Sequence, residues 1–383
     1  MKILYYTWSE NAQNNMTNTL MKLGHQVTKC HIPFQDYEED QEFRNQMEKI
    51  LIQQESDAIF SFDYFPLVAK VAKQRKIKYI SWIYDCPHWS LCSPSVKSPY
   101  NYIFLFDRQQ YMKLLVLQLP HIFYFPLASN TVNLEKQLET LPEKEEYQNE
   151  ISFVGSLYDN NKYRQINFLP EYLRGYLEGI MEAQLRIYGY HFIEELLTPN
   201  ILTELEKYVK MNMDSSYCIE KTELYADLLD TEITCKERVN MLKELAKSHQ
   251  VTLYTGSDMS LVPGVRNGGI VSYDEQLPLV YQRSKINLNI TLRSITSGMP
   301  GRIFDIMGSG GFLLSNYQPE LAEVFQDGKE LVLYESQVDL LEKVSYYLEH
   351  EEERKEIAYR GWKRMQEEFS YPMRVKKMLE YCE

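Results

Sequence analysis

The sequence lacks most of the short motifs that would assign a class of protein at once. No G-x-x-x-x-G-K-[ST] and no clean G-x-G-x-x-G occurs, which excludes a Walker-type phosphate loop and the usual dinucleotide-binding turn. No H-E-x-x-H, no C-x-x-C pair, no acid–glycine calcium loop and no D-x-D after a strand is present, so nothing supports a metal site. No G-x-S-x-G turn supports a serine hydrolase.

Net charge and the pattern of cysteines narrow the possible partners and the expected cellular location. The net charge of −13 argues against nucleic acid as a partner, because phosphate binding needs a basic surface. The six cysteines are scattered and no signal peptide precedes the first predicted strand, so we expect reduced thiols and a cytoplasmic location. No run of about 18 apolar residues predicts a membrane span. A basic run at residues 70–78 is either a solvated helix end or a contact with anionic lipid.

The first third of the chain alternates short apolar runs with helical segments. KILYYTW, QVTKCHI, DAIFSF, KYISWIY, NYIFLF and HIFYFP read as strands, and helices are predicted between the first four. This rhythm predicts a parallel, doubly wound α/β sheet over residues 1–132. Ligands of such sheets bind beyond the carboxyl ends of the strands.

A polar, charged segment at residues 133–149 is typical of an interdomain linker. A second Rossmann-like domain is predicted over residues 150–368, with strands EISFVGS, VTLYTG, GIVSY, KINLNI, GFLLSN and LVLY. Residues 162–247 read as a helical insertion in which only RIYGY is a strand. A proline after Phe369 and Ser370 breaks the last helix. Residues 369–383 are therefore a separate C-terminal helix.

The most informative stretch runs from Ser297 to Ser315, SGMPGRIFDIMGSGGFLLS. Its glycines, Gly298 and Gly310 among them, let backbone N–H groups approach a phosphate, and a helix N-terminus adds positive potential. Arg302 could clamp a diphosphate, and Asp305, one turn into the helix, could reach the two ribose hydroxyls. The alternatives are a structural arginine in a glycine-rich turn and an acid that only stabilises the helix dipole.

Two further loops follow predicted strands. Gly155, at the end of EISFVGS, and Lys162, in the loop that follows, are a possible second phosphate contact, although a glycine after a first strand is also common for structural reasons. After KYISWIY, Asp85 and His88 flank a proline in a loop where a general base could lie. A capped loop with a packed histidine is the alternative. Asp107, after the next strand, could line the same cleft.

Several motifs in order resemble one family. Arg302-x-Phe304-Asp305, Gly310-Gly311-Phe312, Pro319-Glu320-Leu321 and Gly328-Lys329-Glu330 resemble the C-terminal domain of the spore-maturation CgeB-like glycosyltransferases, within the group-1 glycosyltransferases of GT-B architecture. Trp82-x-x-Asp85-x-Pro87 and Pro126-Leu127-Ala128 resemble the N-terminal domain that accompanies them. The resemblance covers most of the chain, thinly between residues 162 and 247.

The resemblance implies two facing Rossmann-like domains and metal-independent transfer from a nucleotide-diphosphate sugar, expected to be UDP-linked, without a separate cofactor. It also implies that the C-terminal helix, residues 369–383, returns to the N-terminal domain. The acceptor would be a glycan, a peptide or a protein. Related retaining enzymes carry two acids eight residues apart. Asp305 fits the second, but Ser297 stands at the first. Ser156 likewise stands where those enzymes have an arginine, while Lys162 fits their lysine.

Three other functions are compatible with parts of the sequence. A non-catalytic nucleotide-sugar-binding or scaffold protein would have the same fold, and Ser297 in place of an acid is its best support. A nicotinamide-dependent oxidoreductase has only the two Rossmann-like halves in its favour, because the glycine turn it needs is missing. A two-domain nucleotide-sugar epimerase is the third alternative.

Overall fold

A computed structural model describes residues 1–131 and 148–383, which form two compact units. The first unit comprises Met1–Ala128, Met213–Cys218 and Glu368–Glu383, and the second comprises Ser129–Asn212 and Ile219–Glu367 within the described residues. Residues 133–147 of the predicted linker, 133–149, lie outside the described residues. Asn149, the last residue of that predicted linker, is the first residue of a strand. Among the described residues, no helix is both long and apolar enough to cross a membrane.

The first unit is built on a six-stranded parallel sheet, as the sequence predicts. The strands are β1 (Lys2–Tyr6), β2 (Gln26–Cys30), β3 (Ala58–Phe62), β4 (Lys78–Trp82), β5 (Asn101–Leu105) and β6 (Ile122–Tyr124). Their order is β2-β1-β3-β4-β5-β6, and every neighbouring pair is parallel. All six carboxyl ends therefore lie at one edge of the sheet, the edge at which ligands bind in such folds.

Four helices of this unit lie between its strands, and the last three begin at a side-chain cap or at a proline in the first turn. They are α1 (Gln13–Lys22), α2 (Gln41–Gln54), α3 (Pro66–Arg75) and α4 (Arg108–Leu115). The Asp40 side chain accepts from the Phe43 amide at the start of α2, and Asp107 accepts from the Gln110 amide at the start of α4. Pro66 occupies the first turn of α3, where no hydrogen-bond donor is needed. Asp107, considered a cleft residue from the sequence, is thus a buried helix cap.

The helix at Tyr371–Glu380 belongs to the first unit and covers an aromatic face of its sheet. Tyr381 packs against Phe123, with ring centroids 4.7 Å apart, and the Arg374 guanidinium lies 3.7 Å from the centroid of the Phe125 ring. Arg374 also donates to the Pro126 carbonyl oxygen at 2.8 Å. The C-terminal helix is therefore part of the packing of the N-terminal sheet.

The second unit contains another six-stranded parallel sheet. Its strands are β7 (Asn149–Val154), β8 (Val251–Tyr254), β9 (Arg266–Gly269), β10 (Ser284–Asn289), β11 (Leu313–Asn316) and β12 (Val332–Tyr334), in the order β12-β11-β10-β7-β8-β9. Five of the six strands lie where the sequence predicts them. The third does not, because β9 ends at Gly269, where the predicted strand GIVSY would begin. Gly269 has φ +74°, which breaks the extended conformation there.

Helices fill the rest of the second unit. They are α5 (Glu171–Gln184), α6 (Ile193–Leu196), α7 (Pro199–Leu205), α8 (Lys221–Leu245), α9 (Leu277–Gln282), α10 (Gly301–Gly308), α11 (Pro319–Val324), α12 (Gln337–Glu349) and α13 (Glu351–Arg364). The Tyr371–Glu380 helix is α14. Helices α5 to α8 form the predicted helical insertion and share an apolar core of their own.

The strand predicted for RIYGY is not formed, because the Gln184 side chain forms hydrogen bonds with backbone groups that a neighbouring strand would otherwise pair. Gln184, the last residue of α5, donates to the carbonyl oxygens of Ile187 and Tyr190 at 3.3 and 2.9 Å and accepts from the Phe192 amide at 3.0 Å. Three backbone groups are thus paired without a neighbouring strand. Gly189, with φ +77°, adds a turn that a strand cannot contain.

Candidate functional site

Arg302 lies at the carboxyl edge of the second sheet, between the ends of β7 and β10. It is the second residue of α10, and its Nε donates to the Val154 carbonyl oxygen at 2.7 Å. Its Nη1 donates to Asn289 Oδ1 at 2.9 Å. Its guanidinium carbon lies 5.0 Å from the centroid of the Phe153 ring. The side chain is therefore held at the edge by two strands and an aromatic face.

Gly155, directly after β7, provides the space that Arg302 occupies. A Cβ at this position would lie 2.5 Å from Arg302 Nη2, and the residue has φ +150°, which a side chain rarely adopts. Gly155 and Arg302, both predicted as phosphate contacts, are thus brought together. No protein acceptor is recorded for Nη2 among the described residues, so this nitrogen can donate to a ligand.

A second arginine, Arg238, lies beside the same ring. It comes from the middle of α8, is fully buried, and has its guanidinium carbon 5.1 Å from the centroid of Phe153. Its Nη1 donates to the Ser156 carbonyl oxygen at 2.6 Å, and its Nε donates to the Ile290 carbonyl oxygen at 3.2 Å. Burial, and then the like charge of Arg302, lower the pKa of Arg238 to about 9.

The sequence analysis does not identify Arg238. A charged residue in the middle of a 25-residue helix usually lies on a solvated face, and nothing local shows that this helix is buried on several sides. Asn289, by contrast, could have been identified from the sequence. KINLNI places two asparagines two residues apart in an otherwise apolar strand, and a polar side chain in a buried strand needs specific partners.

The two arginines differ from their neighbour Arg293 in their partners. Arg293 forms a buried, two-pronged ion pair with Glu237, with nitrogen–oxygen distances of 2.7 and 2.8 Å. Within residues 1–131 and 148–383, neither Arg238 nor Arg302 pairs with a carboxylate, and both donate to neutral oxygens. Buried cations are normally paired. Two unpaired cations around one aromatic ring thus leave positive potential that an anionic ligand would neutralise.

The start of α10 adds backbone donors to this positive region. Pro300 precedes the helix, and in the described part of the chain no side chain caps its N-terminus. The amides of its first turn therefore point outward from the positive end of the helix dipole. Gly298 lies in the loop that leads into this turn. Ser297 is buried, and its Oγ donates to Glu320 Oε1 at 2.6 Å. Position 297, where the resemblance implies an acid, therefore has a serine that is hydrogen-bonded to the carboxyl group of Glu320 on α11.

Asp305 follows Arg302 by three residues on α10, which places the two side chains on one face of the helix. Tyr273 donates its hydroxyl to Asp305 Oδ1 at 2.7 Å. Burial raises the pKa of Asp305 to about 7, although the Tyr273 hydrogen bond and the Arg302 charge act in the opposite direction. A carboxylate in this setting can accept hydrogen bonds from hydroxyl groups of a ligand.

The other predicted donor-site residues are placed less favourably. Ser156 contributes its backbone oxygen to Arg238, while its Oγ accepts from the Tyr158 amide at 2.9 Å and caps its own loop. The Lys162 side chain is exposed. Gly310 lies beyond the C-terminus of α10, with φ +76°, where it ends the helix. It is about 12 Å from the Arg302 end, the length of an eight-residue helix.

The first unit has its own polar cluster at the carboxyl edge of its sheet. Asp63 follows β3, and its Oδ1 accepts from the amides of Tyr84 and Asp85 at 2.8 and 3.1 Å. His88 Nδ1 lies 3.8 Å from the same oxygen. His88 Nε2 lies 3.0 Å from the amide nitrogen and 2.9 Å from the carbonyl oxygen of Tyr64. The predicted pair Asp85 and His88 thus becomes a group of three, and Asp63 is the member that the sequence analysis missed.

Asp85 is the solvent-accessible member of this cluster. Partial desolvation, and then the like charge of Asp63, raise the pKa of Asp85 to about 6, while His88 lowers it. A carboxylate with such a pKa is a better proton acceptor near neutral pH than an ordinary aspartate. His88, whose Nε2 is engaged by the Tyr64 backbone, is better placed to orient the cluster than to exchange protons with a ligand.

Comparison with protein families identifies a match in the second unit and the C-terminal helix. Residues 237–380 match the family described as glycosyl transferase-like. The matched range contains Arg238, Arg302 and Asp305. No curated protein matches the chain.

Solved structures resemble the chain over nearly its whole length. Sucrose-phosphate synthase from Thermosynechococcus elongatus is 10% identical, with a TM-score of 0.55, and the match covers 99% of this chain and 98% of that one. A glycosyltransferase from Rickettsia africae ESF-5 is 13% identical, with a TM-score of 0.51 and coverages of 99% and 97%. Anabaena HepE, solved with UDP and glucose, is 10% identical, with a TM-score of 0.50 and coverages of 100% and 99%. At these identities the likeness shows the fold, and the predicted GT-B architecture is confirmed.

Proposed function

We propose that this protein is a glycosyltransferase that binds a nucleotide-diphosphate sugar through its second unit and transfers the sugar to a hydroxyl acceptor. The observation that carries the proposal is the pair of arginines, Arg238 and Arg302, which lack carboxylate partners among the described residues. They lie at the carboxyl edge of a Rossmann-like sheet, where nucleotides bind in this class of fold. The glycosyl transferase-like match over residues 237–380 and the UDP complex of Anabaena HepE support the same assignment.

The leaving diphosphate would be stabilised by charge. As the bond between the sugar and the diphosphate breaks, negative charge develops on the phosphate oxygens. Arg302 Nη2 and the first amides of α10 would donate to those oxygens, while Arg238, whose side chain is buried, would act through its charge. We propose that these groups supply the positive charge without a metal ion, and that the donor is UDP-linked.

Asp305 would hold the ribose. Its position three residues after Arg302 places a carboxylate one helical turn from the phosphate contact, and Tyr273 fixes one of its oxygens. Ribose hydroxyls would donate to the carboxylate. Because the charged form is the better acceptor, we expect donor binding to strengthen as the pH rises through about 7, the pKa of Asp305.

On the first unit, Asp85 would take the proton of the acceptor hydroxyl if the reaction inverts the anomeric centre. Its raised pKa suits that task, and Asp63 and His88 would orient it. If the reaction retains configuration, the same group would position the sugar instead. Membership of the CgeB-like subfamily, which the motifs around Arg302 and Gly311 resemble, is part of this proposal.

A non-catalytic nucleotide-sugar-binding protein is the second candidate. The observation that favours it is Ser297, which stands where retaining relatives carry an acid. Glu320 lies within hydrogen-bonding distance of Ser297, but it is buried behind it. Slow hydrolysis of a nucleotide sugar without acceptor would favour the enzyme. Tight binding without turnover under any acceptor would favour the binding protein.

The proposal is tested by measuring which nucleotides stabilise the protein. Thermal shifts with UDP, GDP, TDP and CMP would identify the base, since ligand stabilisation grows with the logarithm of occupancy. We expect one or more nucleoside diphosphates to raise Tm, and the matching nucleotide sugar to be hydrolysed slowly. NAD is the control, because the dinucleotide turn is absent. No shift with any nucleotide, or a shift with NAD alone, would refute the proposal.

A further inference from the structure

Trp8 is an aromatic side chain held rigidly in an exposed position. It is 37% exposed, whereas Trp82 and Trp362 are 0% and 4% exposed. It lies two residues after Tyr6, the last residue of β1, at the carboxyl edge of the first sheet. No aromatic ring is recorded in contact with it within the described residues. Tryptophan combines a large apolar ring with a polar N–H group, and such side chains are enriched at binding surfaces.

The loop that carries Trp8 is fixed by several independent contacts. The indole Nε1 donates to the Phe62 carbonyl oxygen at 3.2 Å, and the Trp8 amide donates to Glu10 Oε2 at 3.0 Å. Glu10 is buried and also accepts from Thr7 Oγ1 at 2.9 Å. Ser9 has φ +73°, an unusual conformation for a residue with a side chain. The ring is therefore presented in one orientation before any ligand binds.

The position of Trp8 links it to the polar cluster of the same unit. Phe62, which accepts the indole hydrogen bond, is the last residue of β3, and the next residue is Asp63. Asp63 in turn accepts from the Asp85 amide. The exposed indole and the two aspartates are thus fixed around the end of one strand.

An aromatic face at the same sheet edge as an exposed carboxylate, that of Asp85, is suited to a carbohydrate. The apolar C–H face of a sugar ring can stack on an indole, while its hydroxyl groups donate to carboxylate oxygens. Asp63 and Asp85 are acids, and no arginine or lysine is among the groups that contact the Trp8 loop in the described residues. A phosphorylated ligand would be repelled here.

We propose that Trp8 is the platform on which the acceptor stacks, and that the acceptor is a neutral glycan rather than a peptide hydroxyl or a polyol phosphate. This inference rests on the proposed function, because it takes the ligand of the first unit to be the acceptor. It adds a specificity-determining residue and narrows the substrate class. Trp8 binds the sugar ring next to the reacting one or the reacting ring itself, and Asp85 faces its hydroxyl groups.

The first test observes Trp8 directly by ¹⁹F NMR of the full chain labelled with 5-fluorotryptophan. The four tryptophans give four signals, and Trp8→Phe assigns the one of interest. The probes are methyl glycosides of neutral hexoses and N-acetylhexosamines, glycerol phosphate and a serine-containing peptide. We expect a neutral glycoside to move the Trp8 signal and leave those of Trp82 and Trp362 in place. Movement by glycerol phosphate or the peptide alone, or by no probe, would overturn the proposal.

The second test compares acceptor kinetics. Trp8→Ala should raise KM for a glycan acceptor about tenfold, with a smaller change in kcat, and Trp8→Phe should recover part of the loss because it keeps a ring. Tyr359→Ala, which removes an exposed aromatic from α13, is the matched control and should leave KM unchanged. An unchanged KM in a folded Trp8→Ala protein would overturn the proposal.

The two proposals fail in different ways. Nucleotide binding to the unaltered protein, measured by calorimetry with UDP, GDP, TDP and CMP, concerns only the second unit, so the absence of binding by all four would refute the proposed function. The NMR test needs no nucleotide and concerns only Trp8. Nucleotide binding with no response of the Trp8 signal would leave the proposed function standing and remove the glycan platform.

Discussion

Replacing Arg302 by alanine should weaken the binding of a nucleoside diphosphate such as UDP. The variant removes Nη2, the nitrogen that lies against Gly155 and has no recorded protein acceptor in the described part of the chain. A hydrogen bond to a charged group contributes about 1.5–3 kcal/mol. Because about 1.4 kcal/mol corresponds to a factor of ten, the dissociation constant should rise roughly 10- to 150-fold.

The same substitution also affects stability, since Arg302 donates to Val154 and Asn289. Asn289 is buried, and its Oδ1 loses a donor, which costs about 1–3 kcal/mol if no water replaces it. Binding must therefore be measured well below the Tm of the variant. Arg302→Lys is the informative second variant, because it keeps the charge but not the fork of donors, and should bind UDP with intermediate affinity.

Isothermal titration calorimetry with UDP is the direct assay. Arg360→Ala is a matched control, because Arg360 is exposed and pairs with Glu356 on the surface of α13. It should bind UDP as the unaltered protein does. If Arg302→Ala, shown to be folded by circular dichroism, binds UDP with an unchanged dissociation constant, the assignment of the phosphate site is wrong.

Three further predictions concern the two acids and the absence of a metal requirement. Burial raises the pKa of Asp305 from 3.8 to about 7, so the folded state prefers the protonated form. The unfolding free energy should therefore fall by up to about 4 kcal/mol as the pH rises between those two values. Urea titrations across this range should show a smaller fall in Asp305→Asn, and equal falls in the two proteins would contradict the prediction. Turnover should survive excess EDTA, because Arg302 and the start of α10 supply the charge, and a loss that magnesium or manganese restores would show that this is wrong. Asp85→Asn should lower kcat by about 10²-fold or more while UDP binding persists, and kcat equal to that of the unaltered protein would leave Asp85 a structural loop residue.

The fold was largely predictable because its strands are short, apolar and separated by helices with recognisable caps. KYISWIY and NYIFLF, for example, become the fully paired strands β4 and β5. The two errors have a common cause. RIYGY and GIVSY both have the composition of strands, but each contains a glycine with positive φ, Gly189 and Gly269, in the structure. Composition does not show which conformation a glycine will adopt.

The candidate site was predictable where the sequence itself forms a turn. Arg302 and Asp305 could be named as candidates because they lie within a glycine- and proline-rich segment, and Gly155 because it follows a strand; their roles stay predictions. Arg238 could not, because its role depends on the burial of a long helix. Asp63 could not either, since a single aspartate after a strand has many possible roles. Both are recognised only when distant segments are brought together in three dimensions.

The α14 helix has a consequence for how the protein is made. Residues 1–128 leave the ribosome before residues 368–383, and at about 5–20 residues per second the delay is roughly 10–50 s. During that interval the aromatic face that Tyr381 and Arg374 later cover, including Phe123 and Phe125, has no helix over it. The nascent N-terminal sheet therefore exposes an apolar, aromatic surface while the second unit is being synthesised. Folding of the first unit is therefore completed only after α14 has been translated.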